Sequence, residues 1–304
     1  MTTSYKPSLP TGAIVTGTWN GNRYVVERLL GEGANGKVYL VRRGSKTYAL
    51  KLGFDTVDHQ SEVNALKSIA RASEFRKHWI EADDLDWQGK TYPFSVMSYI
   101  KGKPLHEFIR DNGTDWMYVI GLNLLRKLTQ LHACGYIFGD LKPENVLLTS
   151  YGEVELIDFG GVTAKGRSVK QFTEAYDRGY WNAGGRVADE AYDLFAFAAL
   201  LVHAAGDGRR FEQAMGMLPQ TRSSEGLVEL VSSTPPLRTV EPILRQALTG
   251  RYDSSRKALA DWRARSVHAA RPAQPVRKQH GGWIQVCFTA SVVLFAAAMY
   301  FAWP

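Results

Sequence analysis

Between residues 140 and 158 the chain places four polar side chains in a spacing that suits work on a phosphate. Asp140, Lys142 and Asn145 fall within one short segment, DLKPEN, and Asp158 follows thirteen residues after Asn145. An aspartate can accept a hydroxyl proton, a lysine two residues on can neutralise a phosphate, and an asparagine amide can ligate a metal. Asp158 closes the apolar run VELI and opens Asp158-Phe159-Gly160, a strand-end position suited to a magnesium ligand. A hairpin between Asn145 and Asp158 can bring both to one ion. Far upstream lies a second group: Gly31-Glu32-Gly33-Ala34-Asn35-Gly36-Lys37-Val38, then Tyr48-Ala49-Leu50-Lys51. A lysine flanked by Ala49, Leu50 and Leu52 must either extend its ammonium to water or meet an anion.

The glycine segment allows more than one nucleotide site. A dinucleotide fold needs the glycines to open a helix, but KVYLVRRG alternates like a strand. A GxxxxGK loop needs Ser or Thr after its lysine to hold magnesium, and Val38 stands there. What remains is a hairpin whose glycine-rich turn offers backbone N–H groups to phosphates.

The elements that must position these groups read in two styles. From Arg23 to Leu52, Tyr, Val and Leu alternate with polar residues between turns, as in an antiparallel meander. A helical spacing follows over Asp58–Ala72, with Asp58 as its expected N-cap and Glu62 as the carboxylate placed to meet Lys51. Two more strands are expected near Trp79–Trp87 and Thr91–Tyr99. After Gly102 the pattern turns helical: Trp116–His132, Tyr192–Ala205, Ser224–Ser232 and Val240–Leu248, with short strands at NVLL and EVELI. The expected organisation is an arm over 1–22, a small β-rich lobe over 23–100, a larger helical lobe over 101–265, a basic linker over 266–282 and an apolar span over 283–303.

That span, Trp283 to Trp303, has no charged residue, and as a helix it is about 30 Å long, enough to cross a bilayer. Arg263, Arg265, Arg271, Arg277 and Lys278 precede it, so the positive-inside rule expects residues 1–282 on the cytoplasmic face, with the C-terminus beyond the membrane. The small residues Ala290 and Ala296–Ala298 would suit helix dimerisation, although such residues are common in spans. Composition is that of an ordinary globular chain, 45% hydrophobic and 22% charged with net charge +7. Two cysteines, Cys134 and Cys287, make no disulfide framework or zinc site. No nucleic-acid partner is expected.

Taken in order, GEGANGKV, YALK, a helical glutamate, DLKPEN and DFG resemble the signature set of the protein kinase family over roughly residues 23–265. The resemblance implies an α+β bilobal fold with ATP between the lobes, and protein serine or threonine hydroxyls as acceptors. It implies that Gly31, Glu32, Gly33, Gly36 and Val38 cover the nucleotide, and that Ala49, Met97, Tyr99 and Ile100 border the adenine. Lys51, paired with Glu62, would bind phosphates; Asp140 and Lys142 would be catalytic; Asn145 and Asp158 would hold Mg²⁺ or Mn²⁺. Asp193 looks like the carboxylate supporting the catalytic segment, and Ser168 and Thr173 like acceptors for autophosphorylation. The alternatives are a small-molecule or lipid phosphotransferase, against which Lys142 speaks, and a catalytically weak or non-catalytic kinase-like membrane scaffold. Three departures stand out: Phe138-Gly139 where the family has His-Arg, no Ala-Pro-Glu element within QFTEAYDRGYWNAGG, where Trp181 falls near the glutamate's place, and only ten residues between Lys51 and Glu62.

Overall fold

The computed structural model describes residues 6–71, 73–149 and 151–269. Alternation of apolar and polar residues builds its first half. Strands β1 (Ile14–Thr16), β2 (Arg23–Glu32), β3 (Gly36–Arg43) and β4 (Lys46–Gly53) run antiparallel, each paired with the next. Helix α1 (Thr56–Ile69) then intervenes, and β5 (Glu81–Trp87) and β6 (Lys90–Ser98) complete a six-stranded sheet in the order β1-β2-β3-β4-β6-β5. Tyr24, Val26, Tyr39, Val41, Leu50, Leu52, Phe94 and Val96 are buried together on one face, the small lobe's own core.

Residues 6–22, the described part of the expected arm, are pinned to the sheet. Leu9 is buried and its N–H donates to the Tyr39 hydroxyl, Val15 is fully buried, and the N–H groups of Trp19 and Asn20 donate to the Asp83 carboxylate. The polar, proline-bearing composition hides this because only a few apolar residues do the anchoring. Helix α1 also starts earlier than its spacing suggests. Asp55, not Asp58, is the N-cap, accepting from the N–H groups of Val57 and Asp58, and Asp58 lies in the first turn.

The second half is helical: β7 (Lys103–Pro104), α2 (Leu105–Asn112), α3 (Met117–Ala133), β8 (Tyr136–Ile137), β9 (Val146–Leu148), β10 (Val154–Leu156), β11 (Thr163–Ala164), α4 (Glu190–Ala205), α5 (Gly208–Met215), α6 (Ser224–Ser232), α7 (Glu241–Leu248) and α8 (Ser255–Ala269). Every residue of α4 from Tyr192 to Val202 is buried, so this helix is the axis of the large lobe. Helix α8 is keyed in by Trp262, which lies against Tyr118 and Phe197; a Cβ on Gly121 of α3 would sit 2.2 Å from its ring. Ala65, Leu66 and Ile69 of α1 and Phe75 beyond it join this larger core. Helix α8 runs four residues past the expected end of the lobe at 265. The rest of the expected linker and the whole expected span, Trp283–Trp303, lie outside the described residues, and no helix among the described residues is long and apolar enough to cross a membrane.

Candidate active site

The turn between β2 and β3 is closed by the Gly33 N–H donating to the Gly36 carbonyl at 2.9 Å. Gly31, Glu32 and Gly33 are exposed, while Gly36 is packed so closely that a Cβ would lie 2.4 Å from the Leu52 carbonyl. Register then fixes what shares a sheet face. Val38 pairs with Lys51 across the β3–β4 ladder, and Ala49 pairs with Met97 across β4–β6. Because side chains alternate along a strand, Val38, Ala49, Lys51 and Met97 point the same way, opposite to the buried face of Leu50 and Leu52. Tyr99 and Ile100 follow where β6 ends at Ser98, and both are half-buried.

Lys51 is 6% exposed, as is Glu62. Its ammonium donates to both Glu62 oxygens at 2.9 and 2.7 Å and to Asp158 Oδ1 at 2.7 Å. Burial alone would lower the lysine's pKa, but the two carboxylates outweigh it and hold it above the ordinary value, so the ammonium is charged. The short ten-residue spacing between Lys51 and Glu62 is accommodated because Asp55 starts α1 immediately after β4. Asp158 itself sits in the left-handed region, φ +61°, a rare conformation for a residue other than glycine.

Asp140 is 2% exposed. Lys142 donates to its Oδ2 at 2.7 Å and the Thr173 hydroxyl donates to its Oδ1 at 2.7 Å. The segment before it hangs on Asp193 in α4, which accepts from the N–H groups of Phe138 at 2.7 Å and Gly139 at 2.9 Å and faces His132 Nε2 at 2.8 Å. The Asn145 amide donates to the Asp140 carbonyl, and the Ile157 N–H donates to the Asn145 carbonyl at 3.0 Å. Asn145 therefore lies beside the residue preceding Asp158. Phe138, standing where the family has histidine, is buried edge-to-face against Phe159, whose ring also meets Phe75 and His78. Gly139 has φ +81°, and a Cβ there would lie 2.7 Å from the Gly161 carbonyl, so no cationic side chain fits before Asp140.

The segment after Asp158 holds what the sequence left unread. Trp181 is buried, its indole N–H donating to the Ala175 carbonyl and its ring packed on Phe211, an aromatic anchor near the place where the family has a glutamate. Ser168 is exposed, but the Thr173 hydroxyl is engaged by Asp140. Asp177, Arg178 and Arg186, none of them singled out by motif, form buried or half-buried ion pairs nearby. Their only sequence signal is two pairs of opposite charges within thirteen residues, which a surface loop can also carry.

A buried strand lysine shared by a helix glutamate and the aspartate after a strand, between a sheet lobe and a helical lobe, is the arrangement of a two-lobed phosphotransferase. The model of the protein kinase domain matches residues 24–248, and the chain belongs to that family. It is 37% identical over 280 residues, 90% of this chain and 81% of the relative, to serine/threonine-protein kinase YabT of Bacillus subtilis. It is 31% identical over 156 residues, 46% of this chain and 28% of the relative, to serine/threonine-protein kinase PksC of Streptomyces coelicolor. Among solved structures the Cydia pomonella granulovirus kinase PK-1 superposes with a TM-score of 0.59 at 15% identity, covering 78% of this chain and 92% of that one, which speaks for the fold alone. The protein is an ATP-dependent serine/threonine protein kinase.

Proposed function

We propose that Asp140 accepts the proton of a protein serine or threonine hydroxyl while Lys142 neutralises the transferred phosphoryl group. The observation that carries this reading is the contact of Lys51 with both Glu62 and Asp158, which ties the glycine-turn sheet to the strand end beside Asn145. In it Lys51 grips the nucleotide phosphates, held in place by Glu62. The exposed turn at Gly31–Gly36 covers them with backbone N–H groups. Val38, Ala49 and Met97 offer an apolar face to the adenine, with Tyr99 and Ile100 at its edge. Asn145 and Asp158 would hold Mg²⁺ or Mn²⁺, which supplies charge neutralisation on the triphosphate; the set is hard oxygen donors, as such ions require. Asn145 fits because its amide nitrogen is spent on the Asp140 carbonyl, leaving the oxygen for a cation.

Residues 1–266 incubated with ATP and Mg²⁺ are expected to phosphorylate themselves and a generic protein substrate. Lys51→Met and Asp140→Asn should each lower kcat by about 100-fold or more. Intact-mass spectra of a wild type that never gains phosphate would sink the proposal.

The reading extends to the membrane. The uncharged run Trp283–Trp303 and the basic residues before it support a single-pass anchor with the kinase lobes on the cytoplasmic face. The full chain should pellet with membranes and resist carbonate extraction, while a chain ending at 269 should stay in the supernatant. Equal distribution of the two would rule the anchor out. Pairing through the small residues of the span is left to the same preparation, by crosslinking.

A further inference from the structure

The segment between Asp158 and α4 is held by ion pairs that the reaction itself does not use. Asp177 is fully buried and accepts from five donors: the N–H groups of Gly179 at 3.2 Å and Tyr180 at 3.0 Å, the Tyr192 hydroxyl at 2.9 Å, and Arg186 through Nε at 2.8 Å and through a second guanidinium nitrogen at 2.6 Å. A buried carboxylate with this many partners is fixed, because freeing any of them leaves a charge or a donor without water. Arg178 makes a matching fork on Asp189, two bonds of 2.8 Å, and donates to the Gly185 carbonyl; Asp189 caps α4.

Arg186 also reaches forward. Its guanidinium lies 4.2 Å from the centre of the Phe172 ring, and the next residue, Thr173, donates to the catalytic Asp140. The backbone on either side of Arg186 is stitched to the start of the segment: the Val169 N–H donates to the Arg186 carbonyl and the Ala188 N–H to the Arg167 carbonyl. One side chain thus connects α4, through Asp177, to Phe172, the chain neighbour of the threonine bonded to Asp140. An added phosphate could order such a segment only if a cation received it. The position before Asp140 cannot supply one, since Gly139 has no room for a side chain.

We propose that Arg186, held on Asp177, is a positioning residue for phosphoryl transfer: its guanidinium fixes Phe172 and through it keeps the adjoining Thr173 hydroxyl on Asp140, so that the substrate-facing segment is in its working form without a phosphate. This rests on the assignment of Asp140 as the base.

The test uses the full chain with ATP, Mg²⁺ and a generic protein substrate. Wild type treated with phosphatase, and shown by intact mass to carry no phosphate at the start, should transfer at its untreated initial rate, as should Ser168→Ala. Arg186→Met should lower kcat by about 10- to 100-fold while KM for ATP moves by less than about twofold, because it misplaces the acceptor side of the site and leaves the nucleotide side alone. Arg186→Lys should recover part of the rate, keeping the charge on Asp177 but losing the flat face over Phe172. Should Arg186→Met fail to fold, Phe172→Leu removes the stacked ring with Asp177 and Arg186 still paired, and is expected to lower kcat several-fold with the same unchanged KM for ATP. Full kcat in Arg186→Met or Phe172→Leu, or a dephosphorylated wild type that is inactive until rephosphorylated, would overturn the proposal. A wild type inactive in every state would instead overturn the assignment of Asp140, and this inference with it.

Discussion

An ammonium with 6% of its surface exposed must carry its neutralising charges with it, and Lys51 does, through Glu62 and Asp158. The pair therefore has two separable roles. Lys51→Met should abolish transfer and also cost about 3 kcal/mol of stability, because Glu62 is left buried without its partner. Adding Glu62→Leu should restore most of the melting temperature and none of the activity, a double-mutant result that isolates the chemical role. A second residue governs acid stability. Burial first, and the Lys51 charge second, hold the His59 imidazole at about 4 against its ordinary 6.5. The unfolded chain takes up that proton below pH 6.5 and the folded one only near pH 4. Stability from this group is whole above pH 6.5 and is lost as pH falls toward 4, by about 3 kcal/mol in total. Melting curves from pH 7 to pH 4.5 should show the decline, and His59→Phe should flatten it. At this scale the sequence was most legible. Lys51, Glu62, Asp140, Asn145 and Asp158 belong to local motifs whose order survives any loop length. Asp177 and Arg186 do not, because their partnership exists only once the segment has folded back on α4.

Elements were readable wherever a face or an alternation ran long enough to repeat. The strands from Arg23 to Ser98 and helix α4 fell close to their expected bounds, and α4's unbroken apolar run fits its central position. β1 escaped notice because three residues show too little alternation, and its pairing with β2 is decided by tertiary contact. Helix α2, eight residues long and following Lys103-Pro104, is short enough to be stabilised mainly by packing of Leu105, Phe108 and Ile109. The start of α1 was misplaced because two aspartates, Asp55 and Asp58, are both suitable caps, and only the chain's exit from β4 selects the first. That choice has a functional consequence, since α1 carries Glu62. Asp55→Ala should cost about 1 kcal/mol and lower kcat modestly through a loosened Lys51–Glu62 pair. Asp58→Ala, a first-turn change without a capping bond, should do much less; equal effects in thermal melts would contradict the assigned cap.

For the molecule as a whole, the two cores divide the chain differently from its sequence. The sheet has its own apolar interior, whereas α1 buries Ala65, Leu66 and Ile69 in the interior of the helical half together with Phe75 and Phe159. Trp262 closes the far side of that half against Gly121, and Trp262→Ala should cost about 3–5 kcal/mol by leaving a void between α3, α4 and α8. Helix α1 thus buries its far end in the large body while its near end is tied to the sheet by the short Gly53–Asp55 connector behind β4. Leu66→Ala, which loosens that packing at a cost of about 2–5 kcal/mol, should therefore slacken the hold of Glu62 on Lys51, read as a raised KM for ATP.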